Sequence, residues 1–224
     1  MLKKHTMRVF DEELAKLEKA IIRMIDMAAN QLDNAVLALS NRDYTLAKEV
    51  IERDQKVNQL QASVDACTLR LLAMRQPMAV DLRHILASSR MASDLERIAD
   101  YASSVAKRSL ELGENRVKEP VNIIAAMGKI ACAMLSKVAR AYQDSDPQLA
   151  VEIWQQDQEI DQLYSQVIQT LSILMSGEPE CVEPCIALLN ASRAVERIGD
   201  HVTNLAEHIY FMATGKVYIP AAED

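Results

Sequence analysis

The chain has 224 residues, half of them apolar, yet it contains only 5 Gly, 6 Pro and 4% aromatic residues. All-β folds need many turns and strands rich in aromatic and β-branched residues, so this composition excludes them. The formal charge of −7 argues against a nucleic-acid partner, because the phosphate backbone attracts basic surfaces. An all-α protein with long helices and few turns is expected.

Three amphipathic helices are predicted in the first half. Apolar residues spaced three and four apart run from Phe10 to Leu39, and Asp43 is a suitable N-cap for the helix that follows. This second helix continues to Pro77, where one helix ends and a third begins. The third helix carries a Leu95, Ile98, Ala102 and Val105 seam and fades near Gly113.

The second half repeats this design. Helices are predicted from about Pro120 to Tyr142, from Pro147 to Met175, and from Val182 to Thr214, with Gly215 closing the last one. The polar stretch 114–120 is the predicted boundary, which gives domains of residues 1–115 and 116–224. Long helices joined by short turns lie antiparallel, so we predict two tandem antiparallel three-helix bundles.

The two halves arise from an internal duplication. Residues 43–60 align with residues 146–163 at an offset of 103, and eight of the eighteen positions are identical. At an offset of 100, ERIAD (96–100) aligns with ERIGD (196–200). A repeat of this length indicates two copies of one unit, not a solenoid of short repeats.

Paired carboxylates recur at equivalent positions of both halves. Glu96 and Asp100 are spaced i, i+4 on the outer face of the third helix, as are Glu196 and Asp200 on the sixth. On the second and fifth helices, Asp54 pairs with Asn58 and Asp157 with Asp161 in the same spacing.

Two interpretations of these pairs remain open. Like charges at i, i+4 repel, and hard cations such as Mg²⁺, Mn²⁺ or iron would turn that repulsion into binding. A solvated acidic face, stabilised by Arg97 and Arg197, is the interpretation that the spacing alone favours, since charged residues at i, i+4 are commonplace on helices.

Other residue types give weaker signals. His84, His201 and His208 are candidate ligands, although a histidine on a helix flank is more often solvated or capping. Trp154 projects away from its helix seam and is a candidate contact for a partner. No nucleophile–base pair, phosphate loop or Glu-x-x-His motif occurs, so no enzyme is predicted.

The chain is expected to be a cytoplasmic protein. No apolar run approaches the roughly 18 residues that would span a bilayer, and the N-terminus lacks the apolar region of a secretion signal. Four cysteines stand far apart, which indicates reduced thiols and not a disulfide framework.

The same segments resemble the PhoU family, the bacterial accessory proteins of high-affinity phosphate transport. The resemblance runs in order over roughly residues 10–215. It is carried by AKEVIERDQKVN (47–58), RQPMAVDLR (75–83), DLERIAD (94–100), DQEID (157–161), VERIGDH (195–201) and NLAE (204–207).

This resemblance implies two three-helix bundles with surface metal clusters held by E(D)-x-x-x-D motifs. Carried over by position, the metal ligands would be Asp54, Glu96 and Asp100 in the first half, and Asp157, Asp161, Glu196 and Asp200 in the second. The metal could be iron, zinc, manganese or magnesium. Two departures stand out: Asn58 replaces the second-half aspartate, and the tail 216–220 lacks the Arg-His ending common in the family.

The resemblance also implies a non-catalytic negative regulator of phosphate uptake and phosphate-starvation signalling. Its expected partners are the ATPase subunit of the phosphate ABC transporter and the sensor histidine kinase of the phosphate regulon. A homodimer is expected, which reaches the membrane only through these partners. The alternatives are a metal-storage protein or metal-dependent helical enzyme that uses the same carboxylates, and a plain dimerising scaffold whose carboxylates are only solvated.

Overall fold

A computed structural model describes residues 2–75, 77–112, 117–177 and 179–219. Over these residues the chain is all-helical, with six long helices and one short 3₁₀ helix, Pro179–Cys181. The helices are α1 (Leu2–Asn41), α2 (Tyr44–Arg75), α3 (Ala79–Glu111), α4 (Lys118–Asp144), α5 (Pro147–Gly177) and α6 (Val182–Thr214). The predicted fold class and number of helices are confirmed.

Capping residues explain where the helices begin and end. Oδ1 of Asp43 accepts hydrogen bonds from the backbone N–H groups of Thr45 and Leu46, at 3.1 and 2.9 Å. Its duplicate Asp146 does the same at the start of α5. Gly215 ends α6 with a φ of 73°, and its N–H donates to the Phe211 carbonyl at 2.8 Å. These side chains and this glycine satisfy backbone groups that a helix end leaves without partners.

Each half is a three-helix bundle with its own buried seams. In the first half α1, α2 and α3 contact one another, and in the second half α4, α5 and α6 do so. The predicted α3 seam is fully buried at Leu95, Ile98, Ala102 and Val105. The predicted domain boundary at 115/116 lies outside the described residues, as do Gly113 and Pro220.

The halves are joined by α1 with α4 and by α3 with α6, while α2 and α5 lie on the outside. Asp94 of α3 contacts His208 of α6, and Tyr101 further along α3 contacts His201. Because α3 residue numbers rise as their α6 partners fall, the two helices run antiparallel. Between α1 and α4, the Cys132 thiol donates to the Ala29 carbonyl at 3.7 Å.

One expectation about membranes needs correction. Among the described residues, α4 is long and apolar enough to cross a bilayer, with a mean hydropathy of 1.5 over its best 18-residue stretch. The helix has no long uninterrupted apolar run, which is why it was not identified from the sequence. The Ala, Ile and Met residues of α4 nevertheless raise its mean hydropathy to this value. The same helix contributes fully buried residues such as Met127 and Met134 to the core between α1, α5 and α6. Burial inside the protein accounts for 39% of that 18-residue stretch.

Candidate functional site

The second half brings four carboxylates together between α5 and α6. This second cluster consists of Asp157 and Asp161 from α5, and Glu196 and Asp200 from α6. Each pair occupies one side of its helix because of the i, i+4 spacing. The charge of Asp200 raises the pKa of the other three carboxyl groups, so all four belong to one site.

Asp157 is the most perturbed member of this cluster. Burial raises its pKa first, and the neighbouring charges, of which Asp161 is the largest, bring it to about 7. Its Oδ1 atom is buried and has no hydrogen-bond partner among the described residues. A buried oxygen of this kind is costly, so the absence of a partner requires an explanation.

Gly199 of α6 makes the space that this carboxylate occupies. A β-carbon at Gly199 would overlap Oδ1 of Asp157 and come within 3.2 Å of the Ile160 side chain. The glycine therefore allows the aspartate of α5 to approach the α6 backbone. The Asp157 carboxylate that fits beside this glycine has no hydrogen-bond donor at Oδ1 among the described residues.

The first half assembles the first cluster, which is Asp54 of α2 with Glu96 and Asp100 of α3. Burial and then the charge of Asp100 raise the pKa of both Asp54 and Glu96, so these groups also share one site. In contrast to the second cluster, a buried amide reaches into this one. Nε2 of Gln31, whose residue is 4% exposed, lies 3.4 Å from Oδ1 of Asp54.

The arginines of both ERI motifs contact the acids beside them. Arg97 lies 3.9 Å from Glu96, and Arg197 lies 3.6 Å from Glu196 and 3.0 Å from Asp200. These contacts agree with the solvated-face interpretation for the outer oxygens. They leave the buried oxygen of Asp157 without a partner.

A polar network between the halves was not predicted from the sequence. Asp94 of α3 accepts through Oδ1 from His201 at 2.8 Å and through Oδ2 from His208 at 3.0 Å. Asn204 also donates to Oδ1, at 3.3 Å. Burial alone would raise the pKa of Asp94, but these hydrogen bonds outweigh it and hold the pKa at about 2. His201 and His208 are therefore held in a network across the α3–α6 interface, and they neither cap a helix nor stand solvated.

His84 takes part in a second network that joins the halves. Its Nε2 lies 3.1 Å from the Tyr142 hydroxyl of α4, and that hydroxyl lies 2.8 Å from Oγ of Ser88. Burial lowers the pKa of His84 and raises that of Tyr142. The groove above these residues, about 530 Å³ in volume, is lined in part by Lys19 and Arg23 of α1.

Trp154 is covered by the chain itself. The ring of Tyr218, from the segment after α6, packs edge-on against Trp154 and Tyr210, with centroid separations of 5.5 and 5.2 Å. The side chain is half-buried and packs against the hydrophobic core, so the prediction that it projects outward is wrong. In this structure the contact that a partner was expected to make is made by the C-terminal segment.

The second cluster has ligand atoms of the type that a hard cation prefers. It offers only oxygen ligands, including one buried oxygen without a donor. Within the described ranges no three His, Cys, Asp or Glu side chains already stand at metal-ligand geometry. Binding would therefore require exposed carboxylates such as Asp161 to turn toward Asp157, and the predicted ligands remain predictions.

Comparison with known proteins gives a consistent result. The sequence model of the PhoU domain matches residues 21–109 and 124–209. A phosphate-specific transport system accessory protein PhoU homolog from Caulobacter vibrioides is 38% identical over 213 residues, which are 95% of this chain and 93% of the relative. The phosphate-specific transport system accessory protein PhoU of Escherichia coli is 32% identical, over 96% of this chain and 89% of the relative.

Two solved structures share the whole architecture. The phosphate transport system regulatory protein PhoU from Streptococcus pneumoniae superposes with a TM-score of 0.88 at 30% identity, covering 94% of this chain and all of the other. PhoU from Pseudomonas aeruginosa gives 0.89 at 33% identity, covering 92% of this chain and all of the other.

Proposed function

The chain belongs to the PhoU family, and from that membership we propose that it is a negative regulator of phosphate uptake and phosphate-starvation signalling. The relatives are accessory proteins of phosphate-specific transport, which supports a regulatory role in the same system. The observation that carries the proposal is the similarity over nearly the full length of both this chain and its relatives.

The proposed mode of action is that of a non-catalytic adaptor. The chain would link the ATPase subunit of the phosphate ABC transporter to the sensor histidine kinase of the phosphate regulon. We place it in the cytoplasm as a homodimer that reaches the membrane only through these partners. An acidic helical body with no catalytic constellation among its described side chains is consistent with this role.

The second cluster is proposed to hold a metal ion. Asp157, Asp161, Glu196 and Asp200 would be its ligands, and iron, zinc, manganese and magnesium all accept such oxygen-rich sites. A bound cation would neutralise the repulsion among these acids and connect α5 to α6. The side chains themselves contribute the oxygens, and Gly199 contributes the space beside Asp157.

Deleting the gene tests the regulatory role. Transcription from a phosphate-starvation promoter is measured in rich phosphate in the deletion strain, with and without a plasmid copy of the gene. We expect derepression in the deletion strain and restored repression with the plasmid. Unchanged reporter output in the deletion strain would contradict the proposed function.

A metal-dependent enzyme remains the second candidate, because the buried, unpartnered oxygen of Asp157 and the acids beside it could hold a metal ion that activates water. Elemental analysis combined with phosphatase and oxidase assays on the metal-loaded protein discriminates the two. Bound metal with turnover that the Asp157→Asn variant abolishes would favour an enzyme. Bound metal without turnover would favour the adaptor.

A further inference from the structure

The two acidic clusters come from one duplicated unit, but their surroundings have diverged at five positions. We infer that metal binding in this chain is confined to the second cluster, and that the first cluster is instead stabilised by the hydrogen bond of Gln31 and the positive charge of Lys107. This inference rests on the proposed metal binding at the second cluster. It departs from the arrangement of one metal cluster per bundle that the family resemblance implies.

The first difference is the group that faces the central aspartate from the first helix of each half. In the first half this is Gln31, whose Nε2 lies 3.4 Å from Oδ1 of Asp54. The same amide lies 3.2 Å from the Ala99 carbonyl and 3.3 Å from Oγ of Ser103, so it is held in place from several sides. At the offset of 103 the second half has Met134, which has no hydrogen to donate and is fully buried.

As a consequence, the central aspartates of the two clusters, Asp54 and Asp157, differ in their hydrogen bonds. Asp54 has a donor at the oxygen that would ligate a metal, whereas Oδ1 of Asp157 has none. A cation at the first cluster would have to compete with this buried donor for Oδ1 of Asp54. Among the described residues, no donor competes in this way for Oδ1 of Asp157.

The second difference is in charge. Lys107 lies on α3 in the first half, and its charge favours the ionised form of Asp54. At the offset of 100 the second half carries Glu207 instead. Asn58 of the first half likewise corresponds to Asp161 of the second. The first cluster thus combines three carboxylates with an ammonium group, whereas the second has four carboxylates and carries Glu207 at the position of that ammonium group.

The arginines do not cancel this difference. Arg97 and Arg197 occupy equivalent positions, so they contribute equally to both clusters. The second half has one more, Arg193, where the first half has Ser93. Even with Arg193 included, the second cluster keeps the larger negative charge.

The third difference is in space. Ala99 of the first half corresponds to Gly199 of the second, where a β-carbon would overlap the Asp157 carboxylate. The second cluster therefore admits its central acid to a position beside the α6 backbone. In the first cluster, the methyl group of Ala99 occupies the equivalent position, and the Gln31 amide donates to Asp54.

Mn²⁺ binding to the purified full-length chain tests the inference, because free Mn²⁺ is quantified directly by its electron paramagnetic resonance signal. Wild type is compared with Asp157→Asn and Asp161→Asn in the second cluster, and with Asp54→Asn as the matched first-cluster control. We expect at least a tenfold loss of Mn²⁺ affinity in both second-cluster variants and less than a twofold change in Asp54→Asn. Circular dichroism checks that each variant is folded, and the exposed position of Asp161 protects against a loss that comes only from unfolding.

A gain-of-site variant provides the complementary measurement. Asn58→Asp and Lys107→Glu combined with Gln31→Met give the first cluster the acids of the second and remove the competing amide, and we expect this triple variant to bind additional Mn²⁺ beyond the wild-type stoichiometry. Loss of half of the bound Mn²⁺ in Asp54→Asn, or no gain in a folded triple variant, would overturn the inference while leaving metal binding intact. No Mn²⁺ binding by the wild type would overturn both the inference and the metal part of the proposed function. Neither result depends on the transcription assay, which tests the regulatory role separately.

Discussion

Asp157 shows how burial and neighbouring charge combine at one residue. Its carboxyl group lies beside three other acids without a hydrogen-bond donor at Oδ1, and its pKa is about 7. The metal-free protein therefore carries a group that favours the protonated form when folded. Such a group makes stability depend on pH in a predictable direction.

In the metal-free protein, Asp157→Asn should weaken that pH dependence. Between pH 4 and 7 the folded chain binds more protons at Asp157 than the unfolded chain does, so the free energy of unfolding falls as the pH rises. Because the carboxyl group is partly exposed and solvent screens its interactions, we expect wild type to lose about 1–2 kcal/mol more than the variant from pH 5 to pH 8. Urea unfolding in the presence of EDTA at the two pH values measures this, and equal losses would contradict the placement of Asp157.

Asp94→Asn should destabilise the interface between the halves. The folded pKa of Asp94, about 2, is below its ordinary value, so its stabilising contribution is complete above pH 4 and is lost as the pH falls through 2. At pH 7 we expect a loss of about 2 kcal/mol in the free energy of unfolding. Asp65→Asn is the control, because this exposed aspartate accepts only one long hydrogen bond, from Ser89 at 3.4 Å. Equal stability of Asp94→Asn and wild type would show that the network contributes nothing.

At this scale the sequence predicts the acids but not their partners. The i, i+4 spacing on single helices is enough to find Glu96 with Asp100 and Glu196 with Asp200. Asp94 was missed because its partners lie on α6, more than a hundred residues away. One signal was available: Asp94 and His201 both interrupt the duplication, where the equivalent residues are Ala194 and Tyr101.

At the scale of elements, the close approach of α1 and α4 depends on a single glycine. A β-carbon at Gly128 of α4 would lie 2.6 Å from Cγ2 of Val36 on α1. Gly in a helix interior costs up to about 1 kcal/mol relative to Ala, so this contact offsets a local loss of helix propensity. The helices that join the halves therefore meet where one of them has no side chain.

Gly128→Ala should destabilise the protein by roughly 1–3 kcal/mol, because overpacking moves Val36 and its helix. Thermal unfolding followed by circular dichroism measures the effect. Gly177→Ala serves as the control, since nothing lies within 4 Å of its β-carbon position, and we expect that variant to be neutral or slightly stabilised. The Gly128→Ala, Val36→Ala double variant should recover part of the loss. An unchanged melting temperature in Gly128→Ala would contradict the close packing of α1 on α4.

The bounds of the elements were well predicted because local signals set them. Asp43 caps α2 and Gly215 closes α6 in a left-handed conformation, as the sequence indicated, and Asp146, the duplicate of Asp43, caps α5. The close contact at Gly128 was not predicted, because a pattern along one helix carries no information about which neighbour approaches it. The same limit applies to Trp154, which Tyr218 of the C-terminal segment covers.

At the scale of the whole molecule, the internal duplication becomes a symmetry. Two copies of one unit joined through the antiparallel helices α3 and α6 are related by an approximate two-fold axis perpendicular to that helix pair. One acidic cluster therefore lies in each bundle, on α2 and α3 in the first half and on α5 and α6 in the second. The tandem bundles were predicted from the repeat, but the antiparallel arrangement of α3 and α6 is known only from the contacts between them.

The two clusters give the adaptor hypothesis two unequal acidic surfaces. A partner that binds at the first cluster meets acids beside Lys107 and the Gln31 amide, whereas one that binds at the second meets four acids without such groups. Partner binding is therefore expected to depend on the second cluster and on the cation that it is proposed to hold. A plain scaffold would bind without regard to either.

The most direct test of the account is the affinity of the phosphate transporter ATPase subunit for this chain, measured by isothermal titration calorimetry. The measurement is made with Mn²⁺-loaded wild type, with the EDTA-treated chain, and with the Asp157→Asn and Asp54→Asn variants. We predict binding that weakens at least tenfold after EDTA treatment and in Asp157→Asn, and that stays within twofold of wild type in Asp54→Asn. No binding of the ATPase to the loaded wild type, or equal affinity in all four samples, would contradict the account.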